Sequence, residues 1–269
     1  MKIGIGFCIP LSIALISASL FAQNAKQTTP AEDLYKRGLN ALMGAGPSRN
    51  ENTSMDLLRR SAELGYMPAE TAVAYAYETG FTVTADPQEA ASWYRKAAQQ
   101  GDPLAAWALG RLYYLRKIPG SYHDAEDWLG RAADAGDAFG QYLLGLSLHQ
   151  RDSSKGVSYF QKAAEQGLPF AQYQLGIALQ TGLGILLDKQ TAYVWLLVSL
   201  DAGVQQASAP IQQLEAELGT TNVEKAKVQA REFEKTASRS RNAHGCTGWP
   251  GELDEIPAPP PIDTQNVCR

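Results

Sequence analysis

The chain has 269 residues and is 45% hydrophobic, which is enough to bury a large apolar area. A formal net charge of −4 argues against a nucleic-acid backbone as the main ligand, because phosphate binding draws on clustered Lys and Arg. Three histidines and three cysteines, none spaced as a metal pair, give no basis for a metal centre or a cofactor.

Met1–Ala22 begins with Lys2, runs apolar from Ile3 to Phe21 and ends on a small residue before Gln23. This is the pattern of a secretory signal peptide cleaved after Ala22, and it predicts a periplasmic or secreted protein. A membrane-anchoring helix is the competing reading of a segment this long. Pro10, Ser12, Ser17 and Ser19 oppose it, so no stable membrane insertion is expected after cleavage. Cys8 lies inside the segment and leaves with it.

From residue 31 to 203 the text repeats. Stop glycines stand at Gly65, Gly101, Gly136, Gly167 and Gly203, separated by 36, 35, 31 and 36 residues. A period in that range signals stacked units. Eight and seven residues before each glycine stand Leu57-Leu58, Trp93-Tyr94, Trp128-Leu129, Tyr159-Phe160 and Trp195-Leu196. One turn later come small pairs such as Ala97-Ala98, Ala132-Ala133 and Ala163-Ala164. Bulky and small groups on one helical face let a neighbouring helix approach at the small end.

Beyond each stop a second phase opens on Ala69, Ala105, Gly140, Ala171 or Ala207. It continues as Val73-Ala74, Leu109-Gly110, Leu144-Gly145 and Leu175-Gly176. Glycine inside a helix costs about 1 kcal/mol relative to alanine. Its return at one phase predicts that Gly110, Gly145 and Gly176 admit a paired helix at backbone distance. In the first unit Leu34, Gly38 and Ala41 mark one helix, and Ser54 to Gly65 the next, with Thr53 or Ser54 as its N-cap.

The combination A-x-x-x-L-G-x-x-Y, a G-x-G-[VI]-x-x-D loop and W-x-x-x-A-A-x-x-G resembles the Sel-one-like repeat, a relative of the tetratricopeptide repeat. Gly182, Gly184, Ile185 and Asp188 give the loop in full; Gly80, Val83 and Asp86 give it with Thr82 in place of the second glycine. In the unit 137–167 the loop is cut short, which accounts for the 31-residue step. The resemblance covers residues 31–203 and implies an all-α fold, a right-handed α-solenoid of helix-turn-helix repeats.

Residues 204–238 read as a C-terminal capping pair, striped by Ile211, Leu214 and Leu218, then by Val223, Ala226, Ala230, Phe233 and Ala237. From 239 to 269 the composition turns to proline, which excludes helix. Cys246 and Cys268 remain in the mature chain, and in an exported protein such a pair reads as a disulfide. It would close a loop worth about 3 kcal/mol of order.

No arrangement of nucleophile, base or metal ligands stands out. Gly182-Leu183-Gly184 lacks the Lys-Ser/Thr of a phosphate loop, and Asp124, Glu126 and Asp127 read as a solvated helix face. Some secreted relatives with cysteine-bridged repeats are linked to β-lactam binding and hydrolysis. This chain has no Cys pair per repeat, so that activity is not carried over.

In the resembled family the first helix of each unit lines the concave side. That implies a groove floor of Tyr75, Trp107, Arg111, Tyr114, Tyr142, His149 and Tyr173, rich in the residue types of binding hot spots. The competing reading packs these rings against the next unit or under the tail. The expectation is a non-enzymatic scaffold of the bacterial envelope holding a protein or peptide partner. The alternative is an enzyme or binding protein for cell-wall or β-lactam-like ligands.

Overall fold

A computed structural model of the chain describes the backbone of residues 29–43 and 50–244, with side chains in 29–41 and 50–233. The expected leader and the Cys246–Cys268 bond lie outside the described residues.

Five helical hairpins follow one another. They are α1 (Pro30–Met43) with α2 (Glu51–Glu63), α3 (Met67–Thr79) with α4 (Pro87–Gln99), and α5 (Pro103–Tyr114) with α6 (Tyr122–Asp134). Then come α7 (Ala138–His149) with α8 (Ser153–Glu165), and α9 (Pro169–Thr181) with α10 (Lys189–Asp201). A 3₁₀ turn, Gln205–Ala207, leads into α11 (Ser208–His244), which breaks at Gly219 (φ 73°, ψ 161°). The described residues contain no strand, and none of their helices is long and apolar enough to cross a membrane. The fold is an all-α solenoid.

Local chemistry sets the joints. The stop glycines adopt left-handed φ values between 78° and 101°, a conformation that favours a residue without Cβ. Asp86, Asp102, Asp137, Asp152 and Asp188 cap the next helices through their carboxylates. The cap of α2 is Asn50, whose Oδ1 accepts from the Thr53 amide at 2.9 Å. The helix therefore starts earlier than the expected Thr53 or Ser54 cap. Ser54 is buried instead, donating to the Gly38 carbonyl at 2.8 Å.

The close approach read from the glycine phase is present. A methyl group on Gly110 would sit 2.7 Å from Leu129 Cγ, one on Gly145 2.7 Å from Phe160 Cδ1, and one on Gly176 2.7 Å from Leu196 Cγ. Gly38 meets Leu58 the same way. The bulky residue of each second helix thus seats on the glycine of its own first helix. Ser61 and Ser199 replace the usual alanine of the small pair. They turn their hydroxyls to the carbonyls of Ala31 (2.5 Å) and Pro169 (2.9 Å), at the start of the partner helix.

Helix α11 runs to His244, six residues past the point where a non-helical tail was expected. The stretch from Arg239 to His244 contains neither proline nor glycine, so nothing local stops the helix before Gly245. Its second arm buries Val223, Ala226 and Ala230 and sets Phe233 edge-on to Trp195, with centroids 4.7 Å apart.

The candidate binding face and its cavity

Helices consecutive in sequence make almost all of the close packing, as expected for a solenoid. Among the described residues, the first helices α5 and α7 also touch each other across the intervening α6, far more lightly than helices consecutive in sequence. That contact puts these first helices on the inner side of the layer pair.

That placement decides the fate of the expected groove floor. Tyr75 is open, at 48% exposure, and Tyr114, His149 and Tyr173 are half-buried. Trp107 and Arg111, each 5% exposed, and Tyr142, 2% exposed, are not floor residues; the reading of them as open groove side chains is corrected here. Wide groups at this phase fill the gap between neighbouring first helices. Trp107 tilts against Phe139 of α7 at 5.2 Å, and Tyr142 packs between Phe160 and Phe170 at 6.1 and 6.3 Å. Burial pushes the Tyr142 phenol far above its usual range, so it stays protonated. His149 leans on Phe160 at 5.5 Å; its burial holds the imidazole below its usual pKa, against a weaker opposing effect of the Ser153 backbone.

A recess opens on the inner layer. A cavity of about 330 Å³ lies among α1, α3 and α5. Its walls are Tyr35 of α1, Pro68, Thr71, Ala72, Tyr75 and Glu78 of α3, and Tyr94 of α4. Helix α5 closes it with Leu104, Trp107, Ala108 and Arg111. Tyr75 and Leu104, both about half exposed, stand at the mouth. Sequence reasoning placed Tyr75, Trp107 and Arg111 on one face, and the structure brings these three together on this wall.

The charges in the wall are turned on one another. Arg111 Nη2 donates to Glu78 Oε1 at 2.5 Å, and Tyr94 donates its hydroxyl to Glu78 Oε2 at 2.9 Å. The guanidinium carbon lies 5.0 Å from the centre of the Trp107 ring. Both charged side chains are nearly buried, at 6% and 11% exposure. Burial of such a pair is tolerated where the two charges meet and further hydrogen bonds are made; here Glu78 takes a donor on each carboxylate oxygen. The remaining surface is aromatic and apolar, so the cavity suits an uncharged occupant.

The pairing itself was not foreseen. Its trace in the sequence is a pair of opposite charges 33 residues apart, one on each of two successive inner helices. A second buried carboxylate was missed as well: Glu70 on α3, 3% exposed, accepts from Gln100 Nε2 at 2.7 Å. Burial raises its pKa, with Gln100 opposing. In the third unit the same position is Ala106; in the fourth and fifth it is glutamine, and Gln141 and Gln172 donate to the carbonyls of Ala133 and Ala164. No three His, Cys, Asp or Glu side chains converge as a metal set among the described residues.

Comparison with known proteins bears on the same stretch. A family model described as the Sel1 repeat matches residues 31–66, 68–102, 103–137, 138–168 and 169–204, together well over half of the chain. The crystal structure of c5321, a protective antigen of uropathogenic Escherichia coli with an SLR fold, is similar at TM-score 0.71 and 28% identity. That match takes in 87% of this chain and 52% of that one. A Sel1 repeat protein from Oxalobacter formigenes shares the fold at TM-score 0.63 and 23% identity, over 82% of this chain and 98% of that one. Chitin synthase regulator SKT5 of Saccharomyces cerevisiae is 33% identical over 118 residues, 42% of this chain and 17% of that protein. An uncharacterized protein of Neisseria meningitidis, NMB1327, is 33% identical over 98 residues, 36% of this chain and 20% of that protein. The chain thus spans about a fifth of the length of these two relatives.

Proposed function

The chain belongs to the Sel1 repeat family, whose members are in general protein-interaction scaffolds, and from that premise we propose that it is a non-enzymatic scaffold of the bacterial cell envelope that holds a peptide or protein partner on its inner face. The observation that carries this reading is the open cavity between α1 and α5, an aromatic-walled recess whose buried charges are paired with each other. Aromatic and Arg groups around a desolvated recess are the usual anchors of protein recognition. Tyr114, Tyr173 and Ile177 are half-buried on other first helices of the same layer. The envelope assignment rests on the export pattern of Met1–Ala22.

The test is affinity capture from an envelope extract with the wild-type chain and with Tyr75→Ala/Leu104→Ala. Both residues are exposed, so the fold should be unaffected. Loss of the captured partner with unchanged thermal stability supports the inner face. Unchanged capture refutes it.

A further inference from the structure

Two junctions between successive first helices are closed by a pair of rings, and a third, in the same register, is not. Six residues after their stop glycines stand Thr71, Trp107 and Tyr142; three residues after the next stop stand Leu104, Phe139 and Phe170. Trp107 meets Phe139 at 5.2 Å and Tyr142 meets Phe170 at 6.3 Å, both within the range of favourable ring–ring contacts. The corresponding pair between α3 and α5 is Thr71 and Leu104, and neither supplies a ring. Both of them line the cavity.

The chemistry of an occupant follows from the walls. An apolar cavity of about 150 Å³ holds one benzene ring. About 330 Å³ therefore accepts a phenyl or indole group with part of the backbone that carries it. Tyr35, Tyr75, Tyr94 and Trp107 surround that space with four further rings. A charged group is disfavoured, because the nearly buried Glu78 and Arg111 are already paired and a new charge would enter without a partner. Tyr75 and Leu104, at 48% and 49% exposure, leave the mouth accessible to a side chain arriving from outside.

We propose that the partner anchors itself through one aromatic side chain, Phe or Trp, inserted between Thr71 and Leu104 where the next two junctions hold rings of the chain itself. This rests on the reading of the inner layer as a peptide-binding face, and names the group that the recess selects. The selection is by shape and ring contact, so an aliphatic side chain enters with lower affinity and a cationic one is turned away.

The experiment titrates the full chain with N-acetyl-phenylalaninamide, N-acetyl-leucinamide and N-acetyl-lysinamide, followed by NMR. The phenylalanine amide should saturate with a Kd on the order of 1 mM, as suits so small a ligand. The leucine amide should bind roughly fivefold more weakly, and the lysine amide should not saturate. Thr71→Trp/Leu104→Phe copies the Trp107–Phe139 pair into the open junction. It should melt no lower than the wild type, lose the phenylalanine amide, and lose the partner captured from an envelope extract. Leu104→Trp, at a half-exposed position, should give the same two losses and serves if the double variant does not fold. Equal affinity for the phenylalanine and leucine amides overturns the proposal, as does no saturable binding of the phenylalanine amide. Amide binding or partner capture that survives in a folded, filled variant overturns it too. If the amides fail while Tyr75→Ala/Leu104→Ala still loses the captured partner, the inner-face reading stands and only the ring anchor is removed from it. If that capture is also unchanged, both readings fall.

Discussion

In the second hairpin the inner phase carries Thr71, Tyr75 and Glu78; in the fourth it carries Tyr142, Leu146 and His149. The backbone plan is shared, but the outcomes are opposite. Tyr142 packs on Phe160 of its own hairpin and on Phe170 of the next and so bridges the two units, while His149 leans on Phe160 within the hairpin. Thr71 is short and turns its hydroxyl to the Asp102 cap at 2.5 Å, while Glu78 reaches across to Arg111. Space that aromatic bulk fills in one unit stays open in the other. An interaction site in a repeat protein can thus be made by leaving out a packing group at one phase, with a buried ion pair holding the neighbouring helices in register.

The sharpest way to break this contrast is to unpair the wall. Glu78→Ala leaves Arg111 buried without its carboxylate and should cost about 3–5 kcal/mol in urea unfolding. Replacing Glu78 and Arg111 together by methionine should cost far less than the sum of the two single changes. Equal and additive losses would mean the pair does not hold the register.

The filled unit has its own test. Gly145→Ala puts a methyl 2.7 Å from Phe160 and 3.1 Å from the Gly156 carbonyl, and should destabilise by about 1–3 kcal/mol despite its better helix propensity. Gly130 on α6 has open space around it, so Gly130→Ala should instead stabilise, by up to about 1 kcal/mol. Thermal melts of the two variants, moving in opposite directions, check both halves.

Glu70→Gln asks whether the second unit can be made like the fourth and fifth. Glutamine at that position would donate to the Ala62 carbonyl, as Gln141 and Gln172 do eight residues back along the chain, and should add about 1 kcal/mol at neutral pH. The Glu70 pKa is raised by burial, so its contribution to stability is fully present below the unfolded value of about 4.3 and lost as pH rises through the folded value. The gain from Glu70→Gln should therefore be largest at neutral pH and shrink below about pH 4, read as the difference in Tm across a pH series. The smallest effect is expected from Thr82→Gly. Thr82 holds φ 68° where the matching loop has Gly184 at φ 78°, and relief of that strain should raise stability by under about 1 kcal/mol.

Which parts of this were legible in the sequence follows from which forces are local. The stop at Gly101 and the contact at Gly110 are visible because a left-handed φ and a backbone-distance approach both demand glycine, whatever lies around them. The burial of Trp107, Arg111 and Tyr142 was not visible, because it depends on how far one inner helix leans toward the next. That tilt is set by curvature summed over units, and no single helical face records it. Glu78 lies one turn beyond Tyr75 on the same helix, but its partner sits on another helix, so only the assembled solenoid joins them.

The most direct measurement is photo-cross-linking in the producing cell, with benzoylphenylalanine placed in turn at Tyr75, at Leu104 and at Gln161 on the outer layer. The account expects one partner adduct shared by positions 75 and 104 and none at 161. Adducts at 161 with none at 75 or 104 would contradict it, since the partner would then be held on the opposite surface.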